Sequence, residues 1–316
     1  MDPAVKHLNV MPGTEKARST DTDTNSPPHK NGHRKMPPKT PEHFPRIAVL
    51  GTGAMGGAIA RGLLKSGATV SEGMSVSGHW TQQMQELTDL PGVEGFDAET
   101  DPEANIRAVR HAGIVVLALK PDVMVSVLRE ISSFLRDGAI VISVAAGVTI
   151  QTIESLLPET VSVIRVMPNT PALVGMGVSG ISTGTRGTMK DISLAEALFG
   201  RIGTVLRVPE SRIDEVTSIS GSGPAYVYYL IEQLTTVAEH LGFTSEQAAL
   251  LVNGTFRGAC ELLVDSDKSP RELRQLVTSP KGTTAAAISV LEDGGLRELF
   301  ERAAAAAVRR ARELAI

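Results

Sequence analysis

"IAVLGTGAMGGAIARGLLKSG", residues 47–67, reads as a short apolar strand, a glycine turn and the opening of an amphipathic helix. The spacing Gly51-x-Gly53-x-x-Gly56 has a physical explanation. The first glycine permits a tight turn, the second lets a pyrophosphate approach the backbone, and the third lets helix pack on strand. Free N–H groups and the positive end of the helix dipole favour bound phosphate. A lone match of this kind is weak; following a strand and opening a helix, it predicts a dinucleotide site.

Working outward, further apolar runs recur at residues 74–77, 114–119, 139–144, 163–166, 178–182 and 204–208, with helical patterns between the early ones. Continuous runs such as "IVVLAL" and "AIVISV" suit strands buried on both faces of a parallel sheet. The alternation predicts an α/β Rossmann-type doubly wound domain over residues 46–209. Beyond Pro209 the strands stop. Residues 226–242 place Val227, Leu230, Ile231, Leu234, Val237, Ala238 and Leu241 on one helical face. Helices are also predicted at residues 244–264, 270–277, 284–291 and 296–314. Residues 210–316 therefore read as an all-α bundle, and its long apolar first helix predicts dimerisation.

The 316 residues carry a net charge of -4 and a sequence pI near 6.0, which offers no broad attraction to nucleic acid or an anionic membrane. The sole cysteine, Cys260, rules out an intrachain disulfide and fits a reducing, cytoplasmic setting; its apolar helical context predicts a buried thiol. No apolar run is long enough to span a bilayer. Residues 1–45 hold eight of the eighteen prolines and four of the seven histidines, with almost no apolar periodicity, and read as a disordered tail. It has no apolar signal core, and its acidic residues oppose a mitochondrial presequence. Met36 offers an alternative start. His7, His29, His33 and His43 could be read as metal ligands, but the bland reading as tail residues is preferred, and no metal is predicted anywhere.

At the end of the second strand, "MSVSGHW" carries Ser77, Gly78 and His79 and no carboxylate. An acid there would bind the ribose hydroxyls of NAD and repel a 2′-phosphate. Its absence favours NADPH, with NADH possible, and Ser77 is a candidate phosphate partner. Lys120-Pro121 and Ala145-Ala146-Gly147 end two further strands at the same crevice. In the helical half, "SISGSGPAY" and "VTSPKGTTAAAISVLED" each set hydroxyls and free N–H groups at a helix start. Plain N-capping explains either loop alone; residues 279–284, with Lys281 and two threonines, make the better carboxylate cradle.

Taken together, "RVMPNTPALVGMGVSGI" at 165–181, "SGSGPAY" at 220–226 and "VTSPKGTTAAAISVLEDGGLR" at 277–297 resemble the pyrroline-5-carboxylate reductase family over residues 46–315. The resemblance implies NAD(P)H-dependent reduction of L-Δ1-pyrroline-5-carboxylate to L-proline, and homodimers or dimer-based decamers. It places the cofactor on Leu50, Gly51, Thr52, Gly53, Ala54, Met55, Ser77, Asn105, Ala118, Leu119, Lys120, Pro121, Val144, Ala145 and Ala146. It places substrate on Glu210, Ser279, Thr283 and Thr284, with the Thr283 and Thr284 N–H groups on the carboxylate. The Thr284 hydroxyl would face the ring nitrogen. The chain departs from the family at Lys281, where glycine is usual.

The implied chemistry asks little of side chains, because a protonated cyclic imine is already electrophilic and needs positioning above all. A β-hydroxyacid dehydrogenase shares this domain plan but needs a helix lysine as base, and "SGSGPAYVYYLIEQL" has none. A cofactor sensor without turnover would not need the loop at 279–284.

Overall fold

The computed structural model describes residues 43–314, apart from Ala68 and Ser71. The disorder expected for residues 1–42 lies outside the described residues. Residues 43–45, assigned above to the tail, belong to the fold. His43–Phe44 forms β1, which pairs in parallel with β3 (Thr69–Val70), and Phe44 is fully buried. A large aromatic removed from water explains the earlier boundary.

The first domain is an eight-stranded sheet. Its strands are β2 (Ile47–Leu50), β4 (Met74–Gly78), β5 (Val93–Asp97), β6 (Ile114–Leu117), β7 (Ile140–Ser143), β8 (Ser162–Met167), β9 (Gly177–Thr183) and β10 (Gly203–Arg207). The spatial order is β10-β9-β8-β7-β6-β2-β4-β5. From β8 to β5 neighbours run parallel; β9 lies antiparallel to β8, and β10 parallel to β9. Sequence reading missed β5, because "VEGFD" is too polar to look like a buried strand.

Along β2 the period of two is exact in its consequence. Ile47 and Val49 join a core with Ile59, Leu63, Met84 and Leu87 on one face. Ala48 and Leu50 join Ala108, Met124 and Leu128 on the other. The first face is covered by α1 (Ala54–Lys65) and α2 (Gln82–Thr88), the second by α3 (Ala104–Val109), α4 (Pro121–Ile131) and α5 (Ile150–Leu156). Helices change face where β2 borders both β4 and β6, which is the topological switch point where ligands collect. After β9, α6 (Met189–Phe199) starts with a Thr188–Asp191 capping box and buries Phe199 on the first face.

The helical region begins at α7 (Ile213–Val216) and a π turn at Thr217–Gly221. It continues as α8 (Gly223–His240), α9 (Ser245–Asp265), α10 (Pro270–Leu276), α11 (Thr283–Asp293) and α12 (Leu296–Glu313). Among the described residues it does not close into a bundle within one chain. α8 packs on α9, and α12 returns to α7 and the π turn. Tyr228, Leu234, Leu250, Leu251, Leu291 and Phe300 stay exposed. Cys260 is likewise exposed, contrary to the buried thiol expected from its context. Helical periodicity identifies an apolar face but not which molecule covers it.

Candidate active site

The carboxyl ends of β2, β4, β6 and β7 meet around the glycine loop. Gly51 N–H donates to Ser77 O at 2.7 Å, Ala118 N–H to Leu50 O at 2.8 Å, and Val144 N–H to Leu117 O at 3.1 Å. The three glycines meet three different constraints. Gly51 has φ +92°, and a Cβ there would lie 2.4 Å from Ala118 O. A Cβ at Gly56 would lie 1.9 Å from Gly51 O. Among the described residues, a Cβ at Gly53 would meet nothing within 4 Å. Close packing therefore demands glycine at 51 and 56, whereas Gly53 faces open space at the N-cap of α1.

Among the described residues no side chain caps α1, and its first loop bond runs from Gly57 N–H to Gly53 O at 2.8 Å. The N–H groups of the first turn are left for a ligand. An open, uncapped helix start lined by glycine fits the pyrophosphate of a dinucleotide. Thr52 is buried beneath the loop, while Ala54 is exposed and Met55 half-buried beside it. Ala118 and Leu119 wall the loop, and Lys120 is exposed at the start of α4, with Pro121 in its first turn. Across the crevice Val144 and Ala145 are buried and Ala146 is half-buried.

Ser77 lies near the end of β4, as expected, and its side chain finds a partner within the protein. It is fully buried, and its hydroxyl donates to Asn105 Oδ1 at 2.8 Å. Asn105 in turn donates to Glu130 Oε2 at 3.2 Å. Two residues expected at the cofactor thus brace one another beneath the strand end. The Ser77 proton is committed there, because alternation along β4 turns its side chain inward.

Glu210 is also engaged. Its Oε1 accepts the Ile150 N–H at 2.7 Å and lies 3.2 Å from Arg165 Nη1. Arg165, whose side chain is 6% exposed, also faces Asp214 at 3.7 Å, and Asp214 and Glu215 reach Arg312 of α12. Glu210 therefore anchors the start of α5 and the junction of the two regions. Asn169, which sequence reading did not single out, joins two quoted motifs. It donates to Ser220 O at 3.1 Å and Ser220 Oγ at 3.2 Å, and accepts the Val178 N–H at 2.8 Å. It looked like one polar residue of a loop; only the return of β9 and the π turn reveals its partners.

The second cradle is the turn between α10 and α11. Gly282 N–H donates to Ser279 O at 3.0 Å, and Ala286 N–H reaches Gly282 O at 3.1 Å. Gly282 is the N-cap of α11, and among the described residues no side chain caps the helix, so the N–H groups of Thr283 and Thr284 have no helical acceptor. Ser279 and Thr283 are exposed and Thr284 is half-buried. Lys281 sits at φ +61°, left-handed backbone that disfavours any residue with a Cβ. Arg274 of α10 pairs with Glu292 of α11 at 2.9 Å. Among the described residues neither helix packs substantially on the nucleotide domain.

A Rossmann crevice joined to a helical region with exposed apolar faces defines a dinucleotide-binding protein with a second, all-α domain. Residues 210–314 match the family model for pyrroline-5-carboxylate reductase dimerisation, and residues 46–147 that for NADP oxidoreductase, coenzyme F420-dependent. The pyrroline-5-carboxylate reductase of Methanosarcina acetivorans is 37% identical over 269 residues, covering 85% of this chain and 97% of the relative. That of Arabidopsis thaliana is 34% identical over 269 residues, covering 85% and 95%. Among solved structures, a pyrroline-5-carboxylate reductase from Coxiella burnetii matches with TM-score 0.77 at 37% identity, over 85% of this chain and 98% of that one. The Plasmodium falciparum pyrroline carboxylate reductase with NADP bound matches with TM-score 0.74 at 28% identity, over 86% and 98%. The chain belongs to the pyrroline-5-carboxylate reductase family.

Proposed function

We propose that the chain reduces L-Δ1-pyrroline-5-carboxylate to L-proline, the final step of proline biosynthesis, with NADPH preferred and NADH accepted. The observation that carries this reading is a pair of helix starts without a side-chain cap, at Gly53 and Gly282, one suited to a pyrophosphate and one to a small carboxylate, in a chain of this family. A bound reduced nicotinamide supplies a hydride to the imine carbon.

The backbone of Leu50, Gly51, Thr52, Gly53, Ala54 and Met55 holds the pyrophosphate. Ala118, Leu119, Lys120 and Pro121, with Val144, Ala145 and Ala146, line the crevice, and Ser77 with Asn105 braces it. The Thr283 and Thr284 N–H groups, with Ser279, hold the substrate carboxylate. The Thr284 hydroxyl orients the ring nitrogen, and Glu210 acts through Arg165 and the start of α5. Clamping the carboxylate fixes the imine at near-attack distance, so positioning supplies most of the catalysis. In one chain the substrate cradle stands apart from the crevice. The exposed faces of α8, α9 and α11 and the dimerisation match support a homodimer that brings cradle and crevice together, with dimer-based decamers as the larger assembly. No helix among the described residues is long and apolar enough to cross a membrane. The single cysteine supports a cytoplasmic setting.

The test follows loss of reduced-nicotinamide absorbance with the imine and either cofactor, and with a 3-hydroxyacid in the reverse direction. No imine-dependent oxidation with either cofactor would end this reading. Thr284→Ala should lower kcat/KM by about tenfold, roughly 1.4 kcal/mol, with the melting temperature kept. Unchanged turnover at both low and saturating substrate would remove the hydroxyl from the scheme.

A further inference from the structure

Strand β4 ends beside the glycine loop. A Cβ added at Gly78 would lie 2.7 Å from the Thr52 hydroxyl and 3.1 Å from the Thr52 nitrogen. In sheets of this topology the groups at this strand end meet the 2′ position of the adenosine ribose. β4 itself contributes no carboxylate, but its neighbour does. β5 pairs with β4 in parallel, Gly78 opposite Asp97, and Ala98 N–H donates to Gly78 O at 2.9 Å. The chain then turns so that Glu99 Oε1 stands 2.7 Å from His79 Nδ1.

Asp97, though nearer in register, is already occupied. It accepts the Glu99 N–H at 3.0 Å and the Thr100 hydroxyl at 2.8 Å. Those bonds, the Glu99 N–H foremost, hold its carboxyl below the usual range. The His79 and Glu99 side chains are 76% and 59% exposed, so a ligand can reach and rearrange both.

We propose that His79 and Glu99 together read the 2′ position of the cofactor ribose, a role that rests on the nucleotide-site reading above. A ribose 2′-hydroxyl donates to Glu99, which His79 holds in place. A 2′-phosphate repels Glu99 and takes the imidazole N–H as its donor instead. One exposed pair thereby admits both cofactors, with a modest preference set by the balance between an anion and an imidazole.

The test is calorimetric titration of the full chain with NADH and NADPH, without substrate, for wild type, Glu99→Gln and His79→Gln. Trp80, the chain's only tryptophan and half-exposed next to His79, gives an independent fluorescence readout. Glu99→Gln should weaken NADH and tighten NADPH, each by about fivefold for an exposed contact. His79→Gln should weaken NADPH by about as much and weaken NADH by a smaller factor, because Glu99 loses its brace but keeps its charge. Equal shifts of both cofactors in one direction, or variants that bind both as wild type does, would overturn the inference and leave the nucleotide site standing. A wild-type chain that binds neither cofactor would overturn the site itself.

Discussion

Gly53→Ala at the N-cap of α1 and Gly56→Ala in its first turn differ by three positions, and the structure assigns them opposite failures. At Gly56 the new methyl would sit 1.9 Å from the Gly51 carbonyl oxygen and 3.0 Å from the Ala118 methyl. Backbone cannot yield as a side-chain tip can, so α1 must shift from β2, at a cost of about 2–3 kcal/mol by analogy with overpacked cores. At Gly53 the methyl enters open space at an ordinary φ of −66°. Losing glycine at an N-cap costs some tenths of a kcal/mol to ~1, and the stiffer unfolded chain returns ~0.4–1 kcal/mol. The net change in the free chain should be near zero.

On the proposed nucleotide site the same methyl would meet the pyrophosphate, so Gly53→Ala should weaken NADPH binding at least about tenfold, or ~1.4 kcal/mol. Thermal melts without ligand and calorimetric titration with NADPH separate the two effects. A protein of this size shifts by roughly 2–4 °C per kcal/mol, so Gly56→Ala should melt roughly 4–12 °C lower, and Gly53→Ala within ~2 °C of wild type. If Gly53→Ala destabilised the free chain as Gly56→Ala does, or bound NADPH like wild type, the loop geometry argued above would be wrong.

Lys281→Gly should raise stability by about 0.5–1 kcal/mol, since relief of left-handed strain exceeds the added freedom of the unfolded chain. If the ammonium also attracts the substrate carboxylate, KM will rise and lose part of its salt dependence; steady-state kinetics at two ionic strengths measure this. Glu210→Gln should cost about 2 kcal/mol, less than for a fully buried pair, because Asp214 still faces Arg165. Chemical denaturation reads that loss, and KM should stay close to wild type because Glu210 acts through Arg165 and the start of α5. Thr188→Ala should cost about 1 kcal/mol by removing the cap of α6. For Asp191 in the same box, burial alone would raise its carboxyl. The Thr188 N–H and the Ser162 and Thr188 hydroxyls outweigh burial and hold it below the usual range. A depressed folded pKa stabilises at neutral pH and is lost only as pH falls through and below the ordinary carboxylate range. The Thr188→Ala penalty should therefore shrink in acid, and an undiminished penalty in melts across that range would refute the linkage.

The strands with continuous apolar runs, the glycine turn and the helical half were all legible in the chain itself. Those signals are local: side-chain period, conformational freedom and helix punctuation depend on residues within a few positions of one another. β5 was not legible, because its polar residues become a strand only by pairing with β4. The Ser77–Asn105 bond, the anchoring of Glu210 by Arg165, the Asn169–Ser220 link and the approach of Glu99 to His79 were hidden for the same reason. Each joins groups between 20 and 51 residues apart, and no spacing rule encodes such a meeting. By itself the sequence determined which backbone could receive a dinucleotide and where an apolar helical face begins. Tertiary structure alone decided which carboxylate stands beside the end of β4, and which candidate residues hydrogen-bond to each other. A hydrogen bond or ion pair depends on where the fold brings two distant groups within about 3 Å, a distance set by sheet order and register rather than by position along the chain.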